Sequence, residues 1–179
     1  MDIKTCLLSV LFGLLLPLSM APFNIWPAGV LSIAGFAALI CGHTTHQSSA
    51  KFVFLHSLSY GLGVYAVGAS WIFVSIHDYG QAGIALSLLL ITPFIVFLSF
   101  LLTIPFVVFS KLRSTITADT HNYTSYSLAI TMLLIFPSLW TISEWFRGWA
   151  FSGFPWLYLG YGHTDTWLSG WAPVTGVLG

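Results

Sequence analysis

The sequence predicts an all-α integral membrane protein: a polytopic helical bundle of about five spans plus the start of a sixth, with a cytoplasmic N-terminus. Three observations predict it. Hydrophobic residues make up 57% of the 179 residues and charged residues 6%, against roughly 25% charged in an ordinary soluble domain. The five basic and five acidic side chains cancel to zero net charge, too few charges to cover a water-facing surface. The apolar residues gather in long runs with short polar connections, and in lipid only helices or closed barrels satisfy every backbone polar group. The same figures exclude other classes. Five scattered bases cannot track a phosphate backbone, and an aromatic content of 17% is incompatible with disorder.

All of 1–179 reads as one N-terminal transmembrane domain. The spans run approximately 5–21, 26–41, 52–76, 84–109 and 126–149, which is 17, 16, 25, 26 and 24 residues. A hydrocarbon core about 30 Å thick needs roughly 20 helical residues. The first two runs are short and joined by Pro22-Phe23-Asn24-Ile25, a tight hairpin turned by Pro22 and Pro27. Lys4 and the small residues Ser19 and Ala21 superficially suit a signal peptide, but Pro22 would follow the scissile bond and a second span follows at once, so an uncleaved helix is expected. In the third run Ser57, Gly61 and Gly68 fall within about 40° of one another on a helix, a small-residue stripe for close helix packing. Pro93, Pro105 and Pro137 each interrupt an apolar run and read as kinks.

Orientation follows from the bases. With the N-terminus inside, Lys4, Lys51, Lys111 and Arg113 are cytoplasmic and only Arg147 is outside, in keeping with the positive-inside rule. The eight tryptophans then crowd the outer half, which marks it as the working face. After Trp171 comes Ala-Pro-Val-Thr-Gly-Val-Leu-Gly, read as the first turns of a further span at 171–179 and hence as an N-terminal fragment.

Polar chemistry is sparse. Cys6 and Cys41 sit in apolar runs as small buried hydrophobes. Cys41, His43 and His46 offer too few ligands for a metal, and Asn122-Tyr123-Thr124 is a glycosylation pattern in an inside loop. Gly61-Leu62-Gly63 has neither the strand nor the Lys-Ser/Thr of a phosphate loop. No cofactor or metal is expected. The ten charges lie at or beyond span ends, and His56 approaches the midplane most nearly, which disfavours an ion-coupled transporter. The dense region is Glu144 to Trp156. Glu144 and Arg147 are three apart and can pair on one helix face; at an interface the pair either anchors the helix by snorkelling or presents Arg147 to a lipid phosphate. The candidate lipid-binding or interfacial residues are Glu144, Arg147, Trp149, Phe154, Trp156 and Tyr161.

Several separated motifs then occur in order. They are Ala21-Pro22-Phe23-x-x-Trp26-Pro27, Trp71-Ile72-Phe73-Val74-Ser75-Ile76-His77-Asp78-Tyr79-Gly80, Glu144-Trp145-Phe146-Arg147-Gly148-Trp149, and Ser152-Gly153-Phe154-Pro155-Trp156. Leu159-Gly160-Tyr161 and Leu168-x-x-Trp171-Ala172-Pro173-x-x-Gly176-Val177 continue the pattern. Across nearly its whole length the chain resembles bacterial apolipoprotein N-acyltransferases. The resemblance implies a multi-pass protein of the bacterial cytoplasmic (inner) membrane with a periplasmic working face. It implies an enzyme that moves an acyl chain from a phospholipid donor to the α-amino group of a diacylglyceryl-apolipoprotein acceptor, through a cysteine thioester. The family's Glu-Lys-Cys triad belongs to a nitrilase-like domain that these 179 residues do not contain, so no catalytic residue carries over and the isolated chain is expected to be inactive. The alternative is a non-enzymatic membrane scaffold, the lipid-binding remnant of a split or decayed gene.

Overall fold

The computed structural model describes residues 3–41, 49–116 and 131–178. Among the described residues the regular structure is entirely helical. Helix α1 is Ile3–Leu15, prolonged by a 3-10 turn at Leu16–Ser19, and α2 is Trp26–Cys41. Helix α3, Ala50–Gly68, starts at Ser49, whose hydroxyl accepts from Phe52 N–H at 3.3 Å, a standard N-cap. After a break at Ala69 the chain resumes as α4, Ser70–Val74, which widens into a π-helical turn at Ser75–Tyr79. Helix α5, Ile84–Ile116, has 33 residues and runs through both Pro93 and Pro105. Another π turn, Thr131–Ile135, feeds α6, Phe136–Trp149, and the chain ends in 3-10 turns and the single-turn α7, Ala172–Thr175.

The helix limits differ from those of the expected spans in several places. The third breaks at Ala69, with a 49° bend between Ala50–Gly68 and Ser70–Tyr79. The fourth runs on to Ile116 instead of stopping at 109. Pro137 sits where the π turn Thr131–Ile135 passes into α6. The turn expected to open a further span is left at Gly176, which has φ +72°. Among the described residues, one helix, Ile84–Lys111, suffices by length and apolarity to cross a membrane, and the bent pair makes a second if it acts as one span; Ile3–Ser19 and Trp26–Ile40 are shorter apolar helices. His43, His46, Asn122 and the beginning of the fifth expected span lie outside the described residues.

Helix α3 is the centre of the bundle, packed between α1 and α5. The α1–α3 crossing is closed by two glycines: a Cβ on Gly13 would strike the Tyr60 carbonyl, and one on Gly63 the Val10 carbonyl. On the other side Ser57 is fully buried and a Cβ on Gly61 would come within 2.9 Å of Ser99 Cα. The small-residue stripe therefore splits. Gly61 lies on the side of α5, Gly68 faces the Leu157 side chain, and Gly63, which lies off the stripe, carries the α1 contact.

The interior is aromatic. Phe36 stacks on Tyr60 with centroids 4.1 Å apart and meets Phe106 edge-on at 5.3 Å; Trp140 closes over Tyr60 at 5.9 Å. A hydroxyl relay ties three helices together. Ser32 Oγ donates to the Phe12 carbonyl at 2.6 Å, which leaves its lone pairs for the Tyr60 hydroxyl at 2.8 Å.

Around this apolar core, several hydroxyl side chains are buried and several leucines are not. Ser9, Ser32, Ser57, Ser99 and Thr103 are inside, whereas Leu7, Leu31, Leu89, Leu133 and Leu134 are exposed.

Candidate functional site

The six singled-out residues converge on the end of α6 and the segment that folds back over it. Ala150 ends the helix, and Phe151, Ser152 and Gly153 then take positive φ of 52°, 85° and 80°. That run reverses the chain within three residues. Gly153 is required there twice over, by its φ and because a Cβ would collide with the Gly148 carbonyl. The returning strand of chain is received by Arg147. Its backbone carbonyl accepts from Phe154 N–H at 2.8 Å. Its guanidinium Nη1 donates to the Phe154 carbonyl at 2.9 Å and to the Trp156 carbonyl, and Nη2 donates to the Leu157 carbonyl at 3.3 Å.

Glu144 completes the clasp one turn earlier. Its Oε1 accepts the Leu159 N–H at 2.7 Å and lies 3.9 Å from Arg147 Nη2. The pair is sealed: Arg147 is 2% exposed and Glu144 6%. Aromatic faces fill the remaining space, with the guanidinium carbon 5.0 Å from the Tyr158 ring centre, 5.6 Å from Tyr65 and 5.8 Å from Phe154. Burial pushes the Tyr158 hydroxyl above the usual phenol range, while the Arg147 guanidinium pulls it the other way.

Neither sequence reading of Arg147 described this geometry. Its donors turn inward to main-chain carbonyls, because a segment with left-handed kinks cannot satisfy its own carbonyls by helical bonding and the planar fork can take several at once. The other candidates divide. Phe154 is buried against Phe94 with centroids 5.3 Å apart, while Trp149 and Trp156 are more than half exposed and Tyr161 is partly so. Trp156 leans on Trp71 at 5.8 Å, which joins the loop to α4. Tyr161 stacks on Tyr158 and lines an open groove of about 480 Å³ with Leu168, Trp171 and Val177.

Sequence reasoning missed Tyr65, Tyr158 and Gly148. A Cβ on Gly148 would occupy the place of the Tyr158 hydroxyl, so only glycine lets Tyr158 lie across the helix end. The one available signal was a glycine beside an arginine in the last turn of an apolar helix.

A family model, the apolipoprotein N-acyltransferase N-terminal domain, matches residues 12–179. The chain belongs to that family. Among its relatives the apolipoprotein N-acyltransferase of Methylococcus capsulatus is 35% identical over 176 residues, covering 98% of this chain and 32% of the relative. Those of Azotobacter vinelandii and Vibrio cholerae are 37% and 35% identical, over 96% and 92% of this chain and 30% of each relative. The chain thus spans about a third of the length of the relatives it matches. Every element of the clasp lies within the stretch that matches the family's N-terminal domain.

Proposed function

We propose that residues 1–179 are the N-terminal membrane domain of an apolipoprotein N-acyltransferase, inserted in the bacterial inner membrane with the N-terminus inside and the Glu144–Trp171 face on the periplasmic side. The observation that carries this reading is the collinear match of residues 12–179 to the family's N-terminal domain. The leucines exposed along the helices support it, since apolar side chains that face a hydrocarbon solvent cost nothing.

In this reading the donor is a phospholipid and the acceptor a diacylglyceryl-apolipoprotein. The chain's own residues bind and position. Trp149, Trp156 and Tyr161 offer amphipathic rings at the depth of the headgroups, and the groove beside Tyr161 receives apolar chain. Glu144 and Arg147 hold this aromatic shelf in shape from beneath. Acyl transfer itself proceeds at a nucleophilic cysteine of the nitrilase-like domain that the family resemblance implies.

Reporter fusions test the arrangement. Fusions after Arg113 are expected to report cytoplasm, and fusions at Gly80 and Tyr161 periplasm. The reverse result at any two of the three sites overturns the orientation and the assignment of the working face.

A further inference from the structure

The outer end of the broken third helix holds a pair of acceptors with no donor to serve. His77 lies in the π-helical turn, a geometry common at functional positions. Its Nδ1 is 2.7 Å from the Ala82 carbonyl. A carbonyl can only accept, so Nδ1 carries the hydrogen and Nε2 of the neutral ring presents a lone pair. The turn that supplies that carbonyl is itself tied down: Gly80 N–H donates to the Ser75 carbonyl at 3.0 Å, Ala82 N–H to Ile76 at 3.3 Å, and Gln81 takes φ +51°. Phe73 lies against the ring at 5.4 Å.

The free Nε2 faces Asp78 Oδ1 at 3.9 Å, and both side chains reach solvent. Among the described residues no Lys or Arg pairs with this carboxylate, and its one charge partner is the His77 ring. The sequence contains no Lys or Arg between Lys51 and Lys111, and the guanidinium of Arg147 is sealed against its own carbonyls. Two acceptors 3.9 Å apart, one of them anionic, match a small cation that carries several N–H donors. A metal ion is a poorer match, since no group of three or more His, Cys, Asp or Glu side chains able to hold one occurs among the described residues.

We propose that His77 Nε2 and Asp78 form a recognition site for a primary ammonium group. Asp78 supplies the charge, His77 the second acceptor, and a quaternary ammonium, which has no N–H, is refused. No bond is made or broken there; the site is one of specificity. It rests on the membrane reading above, in which a primary ammonium has two sources: the headgroup of an ethanolamine phospholipid and the free α-amino terminus of a diacylglyceryl-cysteine peptide.

The test uses residues 1–179 in nanodiscs containing equal parts of phosphatidylethanolamine and phosphatidylcholine with identical acyl chains. Lipid retained by the protein is counted by mass spectrometry. A second arm compares a diacylglyceryl-cysteine peptide carrying a free α-amine with the same peptide acetylated. The wild type is expected to favour the primary amine in at least one arm. Asp78→Asn, an isosteric change at an exposed side chain, and His77→Ala are expected to lower that preference by roughly tenfold, the worth of one charge-assisted hydrogen bond. Loss in the lipid arm assigns the site to the headgroup, and loss in the peptide arm assigns it to the acceptor. A wild-type preference that both variants retain overturns the site while leaving the membrane reading intact. Retention of neither lipid nor peptide by the wild type overturns the membrane reading and the site with it.

Discussion

At Arg147 a cation is held inside the protein by three carbonyls, one carboxylate and three aromatic faces. Removing one member of such a buried pair leaves the other charge uncompensated, at a cost of about 3–5 kcal/mol. Arg147→Ala is therefore expected to lower the thermal midpoint in detergent sharply. Arg147→Lys keeps the charge but not the planar fork and is expected to fall between. Equal midpoints for wild type and Arg147→Ala would show that the clasp contributes nothing to folding. Gly148 makes a more pointed case, since its missing side chain is filled by the Tyr158 hydroxyl. Overpacking at such a contact costs about 1–3 kcal/mol. Gly148→Ala is expected to destabilise by that amount, and adding Tyr158→Phe, which removes the oxygen in the way, is expected to recover most of it. A double variant no more stable than Gly148→Ala alone would mean that the helix end, and not the hydroxyl, sets the constraint.

At the scale of elements, α3 owes its central place to small residues on two sides. Gly13 and Gly63 let α1 and α3 touch backbone to backbone, and Gly61 lets α5 approach the opposite side. Close approach of this kind brings long stretches of two helices into van der Waals contact. Gly63→Val is expected to part α1 from α3, since the Val10 carbonyl has no room to give, and to lower stability by at least about 1–3 kcal/mol. Gly83 is the matched control: nothing lies within 4 Å of its virtual Cβ, so Gly83→Ala is expected to be neutral or slightly stabilising. Thermal melts of the two variants side by side decide the matter. If Gly63→Val melts with Gly83→Ala, the backbone crossing is not what holds α1 in place.

At the scale of the whole molecule, the described residues hold a helical body with an aromatic interior, and the three successive positive-φ residues 151–153 lie just past the end of α6. Nothing in it resembles an activated nucleophile. Cys6 is a free, partly buried thiol in α1, and acyl transfer requires a thiolate with a base in hydrogen-bonding reach. Residues 1–179 alone are thus expected to leave apolipoprotein N-termini unacylated in bacteria depleted of their own enzyme. Mass spectrometry of lipoprotein N-termini reads this directly, and an N-acylated product from this chain would refute it.

The helical class and the family were legible in the sequence alone, and for a physical reason: long apolar runs with few charges favour helices, which bond their own backbone, and motifs in a fixed order report common descent. The pairing of Glu144 with Arg147 was legible too, since helical spacing places residues three apart on one face. What those two side chains do was decided only by the tertiary structure. A charged residue near a helix end can face a headgroup, snorkel to water or turn inward, and local spacing is the same for all three. The outcome depended on the left-handed kinks from Phe151 to Gly153, which return the Phe154, Trp156 and Leu157 carbonyls to the helix end. It also depended on Tyr65, 82 residues earlier in the chain, whose ring covers the guanidinium. Likewise the break at Ala69 and the choice of Gly63 for the α1 contact depend on which neighbours arrive on each side of α3, and no periodicity within a single helix carries that information.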